Sequence, residues 1–198
     1  MKDFWNKRYS EKEYVYGEQP NLFFAEELRK LNAGTIILPC EGEGRNAIFA
    51  AQLGWNVKAF DFSESGKQKA EQLAEKYNVK FDYIISDVSN IRYKENSADL
   101  LAFIYAHFPK NNRQQIHRKA IAWLKPGGKI ILEAFDKNQL NNDSGGPKEF
   151  AMLYSVDDLK NDFKNMRIDF IEAIETHLNE GKYHEGKANI IRLIATKI

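Results

Sequence analysis

Apolar and amphipathic segments alternate along the first two thirds of this chain. Five apolar runs predict β-strands at 35–39, 56–60, 81–86, 98–105 and 129–135. Helical spacing of apolar residues predicts α-helices at 21–31, 47–53, 65–77 and 113–124. Strands and helices that alternate in this way form a mostly parallel sheet with right-handed crossovers.

The last third has a different pattern. Pro126-Gly127-Gly128 should end the fourth helix in a sharp turn, and residues 136–154 read as an irregular loop insertion followed by a short helix at 156–163. Two strands, at 168–178 and 188–196, are joined by a short turn-rich segment and should pair as an antiparallel hairpin. The predicted fold class is α/β: a Rossmann-like, doubly wound, mostly parallel seven-stranded sheet with a C-terminal antiparallel hairpin.

The first strand runs directly into a glycine turn and then into a helix. The sequence of this turn is Cys40-Glu41-Gly42-Glu43-Gly44-Arg45-Asn46-Ala47. Glycine lets a ligand approach the backbone closely, and the helix start leaves amide groups available to bind it. About twenty residues after Glu41, the second strand ends in Asp61, whose carboxylate can accept bonds from both hydroxyls of a ribose. The arrangement predicts one half of a doubly wound nucleotide site.

Composition narrows the class of protein. Apolar residues make up 43% and aromatic residues 13% of the 198 residues, as in a globular domain. The 29 Lys and Arg residues nearly balance the 28 Asp and Glu residues, so no charge excess favours a nucleic acid or a membrane surface as partner. The single cysteine and the lack of an apolar signal core or membrane-length run predict a cytoplasmic protein. Oligomeric state stays open.

The order of the motifs resembles a known family. Five parallel strands closed by a hairpin, with Leu124-Lys125-Pro126-Gly127-Gly128 before the fifth strand, are similar to the class I S-adenosylmethionine-dependent methyltransferases. The runs Gly42-Glu43-Gly44-Arg45-Asn46-Ala47 and Glu13-Tyr14-Val15-Tyr16-Gly17 resemble the tellurite-resistance and thiopurine methyltransferase branch. The resemblance implies S-adenosylmethionine as cofactor and a small thiol, chalcogen or other small molecule as acceptor.

The resemblance also implies roles for particular residues. The glycine turn would cradle the methionine part of the cofactor, Asp61 would hold the ribose, and Asp87 would contact the adenine amino group, with Val88 beside it. Residues 104–107, after the fourth strand, would face the sulfonium. The complete set of expected cofactor contacts is Tyr16, Glu41, Gly42, Gly44, Asn46, Asp61, Phe62, Ser63, Asp87, Val88, Ile104 and Tyr105.

One motif departs from the family pattern. Where the family has an acid and a first glycine, this chain has Leu38 and Cys40. The missing acid usually helps to hold the ammonium group of the cofactor, and nearby Glu41 is a candidate to replace it.

Two alternative functions remain open from the sequence. Gly42, Gly44 and Ala47 followed by Asp61 also satisfy the dinucleotide fingerprint of an NAD(P)-dependent oxidoreductase. The acidic turn, with Glu41 and Glu43, would repel a pyrophosphate and suits a cofactor that carries positive charge. The altered first motif also permits a non-catalytic module that binds S-adenosylmethionine.

Four residues are candidates for chemistry. His107, after the fourth strand, is either a base or orienting group for the acceptor or a histidine bonded to backbone. Arg45 could bind an anionic acceptor or pair at the surface with Glu41 or Glu43, whereas His184 is expected to be an exposed loop residue and Cys40 an inert thiol. Scattered histidines and a single cysteine predict no metal site.

We expect one methyltransferase domain over residues 1–198. It would comprise a helical arm or lid at 1–33, a cofactor-binding core at 34–135, the loop insertion at 136–154, and a helix with the hairpin at 155–198. The aromatic residues of the arm either pack on the domain or cover a bound ligand.

Overall fold

Seven strands form a single sheet in the computed structural model, which describes residues 2–198. The strands are β1 (Thr35–Pro39), β2 (Asn56–Asp61), β3 (Asp82–Ile85), β4 (Ala98–Ile104), β5 (Leu124–Phe135), β6 (Met166–Asn179) and β7 (Glu185–Lys197). Their order across the sheet is β3-β2-β1-β4-β5-β7-β6. The first five strands pair in parallel, and β7 pairs antiparallel with both β5 and β6. The predicted fold class is confirmed.

Helices cover both faces of the sheet. They are α1 (Lys2–Tyr9), α2 (Leu22–Leu28), α3 (Arg45–Gln52), α4 (Glu64–Lys76), α5 (Lys110–Trp123) and α6 (Val156–Asp162). One core cluster includes Phe103, Trp123 and Leu159 and lies under α5 and α6, while a second includes Phe24 and Leu28 and lies under α2 and α3. Because β4 is covered on both faces, nearly all of its side chains are apolar and buried.

Two predicted segments differ from the structure. The Pro126-Gly127-Gly128 turn does not separate a helix from a strand, because Leu124 is already extended and pairs with Ala98 in the sheet. The four residues 125–128 instead bulge out of β5, with Gly127 at φ +78°, before pairing resumes at Lys129. The 136–154 insertion is more regular than predicted, since it contains two 3₁₀ turns, at Lys137–Asn141 and Phe150–Met152.

The carboxyl ends of the parallel strands meet at one edge of the sheet. In open α/β folds this edge is where ligands bind. The arm formed by residues 2–21 runs across it from α4 to the tip of the β6–β7 hairpin. Asn6 Oδ1 accepts a hydrogen bond from Ser63 Oγ (2.7 Å) at the α4 end, and the Arg8 guanidinium stacks on the Tyr183 ring (4.1 Å) at the hairpin end.

Candidate functional site

The glycine turn after β1 has a strained backbone. Cys40, Gly42 and Gly44 all adopt left-handed φ angles, of +56°, +59° and +88°. A non-glycine residue in this conformation costs about 1–2 kcal/mol. Cys40 occupies the position where the resembled family has its first glycine, and it adopts the left-handed conformation that glycine favours.

The two glycines of the turn allow close packing above it. A Cβ atom on Gly42 would lie 2.5 Å from Tyr9 Oη, and one on Gly44 would lie 2.7 Å from the Cβ of Ala70 on α4. Either contact is too short for a real side chain. Glycine at position 42 therefore lets the arm pack closely on the turn, and glycine at position 44 lets α4 pack closely on it.

Asp61 lies beside this turn, at the end of β2. Its side chain is 95% buried, at 5% exposure, and accepts hydrogen bonds from the backbone N–H groups of Gly42 (3.2 Å) and Ser63 (2.8 Å). Burial raises the pKa of Asp61 to about 6, although these N–H groups favour the ionised form. The carboxylate is thus fixed in one orientation and keeps lone pairs for a hydroxyl ligand.

Glu41 is turned toward α3 rather than outward. Its Oε1 accepts a hydrogen bond from the Ala47 N–H (2.7 Å), which satisfies one donor in the first turn of that helix. Burial raises the pKa of Glu41 to about 7. Leu38, at the position of the missing acid, is fully buried in the core under α2 and α3. That Glu41 replaces the acid as ammonium ligand stays a prediction.

The residues expected near the adenine lie beyond the end of β3. The Asp87 side chain is exposed, and its Oδ1 accepts hydrogen bonds from the N–H (2.8 Å) and hydroxyl (2.5 Å) of Ser89. Val88 is buried beside it. The segment is therefore held in a tight turn with its carboxylate reachable from solvent.

A buried polar cluster joins β5, the arm and the hairpin. Glu133 on β5 accepts hydrogen bonds from Asn21 Nδ2 (2.6 Å) and Tyr105 Oη (2.7 Å) through Oε1, and from Arg192 Nε (2.6 Å) through Oε2. Asn21 Nδ2 also donates to Glu180 Oε1 (3.0 Å). This cluster was not predicted from the sequence. A signal was present, since Glu133 is a carboxylate in the otherwise apolar run 130–135 and a buried charge requires partners.

Arg45 and His184 do not lie where the sequence suggested. The sequence left Arg45 either to bind an anionic acceptor or to pair at the surface with Glu41 or Glu43. Arg45 is instead 7% exposed and pairs with Glu180 (2.8 Å) on the hairpin, because that carboxylate reaches the start of α3. Arg45 also donates to the backbone oxygens of Tyr16 (3.1 Å) and Gln19 (3.4 Å) in the arm. His184 was expected to be exposed, yet the arm covers the hairpin tip and leaves it 5% exposed.

His107 has both ring nitrogens engaged by backbone. Its Nδ1 donates to the Met152 carbonyl (2.8 Å), and its Nε2 accepts from the Phe135 N–H (3.1 Å). Burial lowers the pKa of His107 to about 4, so the ring is neutral. This geometry favours the backbone-bonded alternative and leaves no nitrogen for an acceptor. Its predicted role as base would require these bonds to break.

The turn that carries Tyr105 and His107 is also held by Tyr154. Its hydroxyl donates to the Ala106 carbonyl (3.0 Å) and accepts from the Phe108 N–H (2.8 Å). We expect Tyr154→Phe to lower the free energy of unfolding by about 1–3 kcal/mol, since two backbone groups lose a buried partner. Urea denaturation measures the change.

Tyr93→Phe is the matched control for Tyr154→Phe. The Tyr93 hydroxyl is buried without a hydrogen-bond partner within residues 2–198, so its removal should leave stability unchanged or slightly higher. Equal losses in the two variants would show that the Tyr154 hydrogen bonds do not stabilise the turn.

Cys40 and the histidines do not form a metal site in the described part of the chain. No group of three or more His, Cys, Asp or Glu side chains within residues 2–198 is arranged to hold a metal ion. Burial, with Asp61, Asp87 and Glu41 nearby, raises the pKa of the Cys40 thiol well above its usual value, so the thiol stays protonated. Among the same residues, no helix is long and apolar enough to cross a membrane.

Comparison with known proteins agrees with this geometry. The family model for a methyltransferase domain matches residues 38–128, which contain the glycine turn, Asp61 and Asp87. Over these residues, which are a little under half of the chain, it is similar to a methyltransferase domain, and S-adenosylmethionine is the cofactor that this similarity implies. The match does not favour the oxidoreductase alternative.

Individual relatives are distant. The probable S-adenosyl-L-methionine-dependent methyltransferase TehB of Haemophilus influenzae is 23% identical over 167 residues, which are 80% of this chain and 55% of TehB. The chain thus spans about half the length of the curated relatives it matches.

Solved structures share the fold at low identity. The structure of TehB from Haemophilus influenzae matches all of this chain and 67% of its own, with a TM-score of 0.74 and 17% identity. A methyltransferase from Methanosarcina mazei matches 91% of this chain and 99% of its own (TM-score 0.71, 17% identity). A structure described for the conversion of a disulfide bond into a thioacetal group during echinomycin biosynthesis matches 100% and 91% (TM-score 0.78, 15% identity).

Proposed function

We propose that this methyltransferase transfers a methyl group from S-adenosylmethionine to a small thiol or chalcogen acceptor. The observation that carries the proposal is the juxtaposition, at one edge of the sheet, of the glycine turn with Asp61 and an aromatic cluster. The cluster consists of Tyr105, Phe135, Tyr16 and His184, whose rings are in contact. The echinomycin protein is described as acting at sulfur, which also supports a sulfur acceptor.

The residues at this edge fit the cofactor. Asp61 would hold the ribose, the glycine turn the methionine part, and Asp87 with Val88 the adenine. Tyr16, Asn46, Phe62, Ser63, Ile104 and Tyr105 complete the proposed contacts, together with Glu41. The cofactor supplies a methyl group on a sulfonium, which is already an activated leaving group. The protein then has to align the acceptor in line with that bond and exclude water, and such alignment can supply ~7–11 kcal/mol of the barrier.

The arm is proposed to act as a lid. Asp61, Tyr9 and His184 are buried beneath or within it, so a cofactor can reach Asp61 only after the arm moves. The arm is held by the packing of Tyr9 and Val15, which are buried, and by polar contacts such as the bond from the Val15 N–H to Glu43 Oε2 (2.9 Å). Polar contacts of this kind can open and close at modest cost.

Two further expectations stay predictions. They are the divisions of the chain at residues 33, 135 and 154, and a cytoplasmic location.

Calorimetric titration with S-adenosylmethionine and S-adenosylhomocysteine tests cofactor binding. We expect saturable heat and a rise in the midpoint of thermal unfolding with both compounds, and neither effect with NADPH, because the acidic turn repels its pyrophosphate. No heat and no stabilisation at millimolar S-adenosylhomocysteine would contradict the proposal.

Product formation tests the acceptor class. Wild-type protein with S-adenosylmethionine should methylate members of a panel of aromatic and aliphatic thiols, selenide and iodide, and should not methylate amines. Binding without any product would favour the alternative of a non-catalytic module. Methylation of amines alone would contradict the acceptor class and leave the cofactor assignment intact.

A further inference from the structure

The histidine at the hairpin tip, His184, has no role in the function proposed above. His184 ends the five-residue segment 180–184 between β6 and β7, where the Glu180 N–H donates to the His184 carbonyl (2.8 Å) and the His184 N–H donates to the Gly181 carbonyl (2.9 Å). These two bonds fix the backbone of the tip. The imidazole is 5% exposed, so it points into the protein.

The His184 ring lies against two of the proposed cofactor contacts. Its centroid is 4.4 Å from that of Tyr16 and 4.5 Å from that of Tyr105, the latter in an edge-to-face arrangement, and 5.3 Å from that of Phe135. The fourth side is the backbone of Gly145 in the 136–154 insertion, where a Cβ atom would lie 2.6 Å from His184 Cδ2. The imidazole therefore sits between the proposed sulfonium position and the insertion.

The ring nitrogens of His184 differ from those of His107. Nδ1 has no hydrogen-bond partner among the described residues and lies 3.6 Å from Glu180 Oε2. Glu180 is itself held by Arg45 (2.8 Å) and Asn21 (3.0 Å). A carboxylate beside Nδ1 favours the tautomer with the proton on that nitrogen, which leaves Nε2 to accept a proton. A base oriented by a fixed third group is the usual arrangement for activating a nucleophile.

Two of the guanidinium groups near the ring are already paired. Arg45 is paired with Glu180, and Arg192 is paired with Glu133 (2.6 Å). Neither guanidinium is left to neutralise an incoming anion. The aromatic walls suit a small acceptor, and Nε2 suits one that still carries its proton.

Resting on the function proposed above, we propose that His184 is the residue that contacts the acceptor and takes its proton, that Glu180 positions it, and that the acceptor is an uncharged thiol. The S–H proton passes to His184 Nε2 as the acceptor sulfur donates its electron pair to the methyl carbon. The bond from that carbon to the sulfonium sulfur breaks, and its electron pair stays on the sulfur of S-adenosylhomocysteine. The imidazolium afterwards returns the proton to water.

His184→Phe tests the inference while preserving an aromatic ring in the same cluster. The matched control is His177→Phe, an exposed histidine on β6 of the same hairpin. Both variants are titrated with S-adenosylhomocysteine and assayed with a series of substituted thiophenols and alkanethiols of increasing pKa, and with iodide, which has no proton to lose.

We expect both variants to bind S-adenosylhomocysteine as the wild type does, within about threefold. His184→Phe should lower kcat/KM by roughly 10²–10⁴-fold for thiols that are protonated at the assay pH, as loss of a general base does. The loss should shrink for thiols that are already ionised and vanish for iodide. His177→Phe should match the wild type throughout.

Other results would overturn the inference. An equal loss with every acceptor would mean that His184 only supports the fold of the site, and no loss would mean that it does not contact the acceptor. A wild type that binds S-adenosylhomocysteine and methylates iodide but no thiol would overturn the acceptor class. A wild type that does not bind S-adenosylhomocysteine would overturn the proposed function as well, which separates the two failures.

Discussion

Asp61→Ala is expected to weaken binding of S-adenosylhomocysteine by about 5- to 150-fold, which corresponds to about 1–3 kcal/mol. The variant removes the proposed ribose acceptor. It also leaves the buried Gly42 and Ser63 N–H groups without their shared partner, so the shape of the turn itself is weakened. Asp61→Asn retains the volume and separates the loss of charge from the loss of packing.

Asp82→Ala is the matched control for Asp61→Ala. Asp82 is an exposed aspartate at the start of β3, at the opposite end of the parallel strands from the proposed site. Calorimetry on the two variants should therefore show a loss for Asp61 alone. Equal affinities in wild type and Asp61→Ala would remove Asp61 from the list of cofactor ligands.

The pKa of Asp61 gives this binding a defined pH dependence. Because burial raises the pKa of Asp61 to about 6, the carboxylate is ionised above that pH and can accept the ribose hydroxyls. Affinity for S-adenosylhomocysteine should fall as the pH drops through about 6. The contribution of Asp61 to the stability of the ligand-free protein should change in the opposite direction, since a carboxyl whose folded pKa is raised stabilises the fold increasingly from pH 6 down to its unfolded value near 4. This contribution is the difference between the wild type and Asp61→Asn, because His107, whose pKa is lowered, acts in the other direction over the same range. Asp61→Asn should abolish this component of both trends.

Asp162→Ala should have the largest effect on stability, a loss of about 3–5 kcal/mol in the free energy of unfolding. The Asp162 carboxylate accepts hydrogen bonds from Arg113 Nε (2.6 Å) and His117 Nδ1 (2.9 Å), and all three side chains are buried between α5 and α6. Its removal leaves Arg113 with the partial compensation of Asp158 (3.2 Å) and leaves His117 with no polar partner in the described chain.

Urea denaturation of Asp162→Ala and Asp157→Ala measures this effect. Asp157 lies in the first turn of the same helix, α6, and is exposed, so its loss should cost no more than the ~0.3–1 kcal/mol of a surface charge near a helix N-terminus. A loss below 1 kcal/mol for Asp162→Ala would show that the triad contributes little net stability. The triad lies on the α5 and α6 face, so S-adenosylhomocysteine should still bind the folded variant.

The strands and the hairpin could be predicted because their signals are local. The apolar run of β4, the turn residues before β7 and the glycines after β1 each specify structure within about ten residues. The sequence predicted a turn between helix and strand where the structure has a bulge within β5. Pro126-Gly127-Gly128 indicates a turn but does not indicate which element contains it. Pairing of Leu124 with Ala98 decides that question, and this pairing depends on the folded sheet.

The polar part of the site could not be predicted because its contacts join distant parts of the chain. Arg45 and Glu180 are 135 residues apart, and Asn21 and Glu133 are 112 residues apart. No local pattern distinguishes His184 from an exposed loop histidine, since its burial depends on Tyr16, Tyr105 and Phe135 from three other segments. Glu133 alone gave a local signal, because it is a charged residue within the apolar run 130–135.

The Arg45 guanidinium has a consequence for the order of events during turnover. The guanidinium, at the start of α3, donates hydrogen bonds to two backbone carbonyls of the arm and to one carboxylate of the hairpin. Movement of the arm to admit the methyl donor, as proposed above, would therefore loosen the anchor of the hairpin that would face the methyl acceptor. Donor and acceptor should consequently bind cooperatively, with the donor first. A thiol that binds equally well with and without S-adenosylhomocysteine would show that the arm and the hairpin act independently.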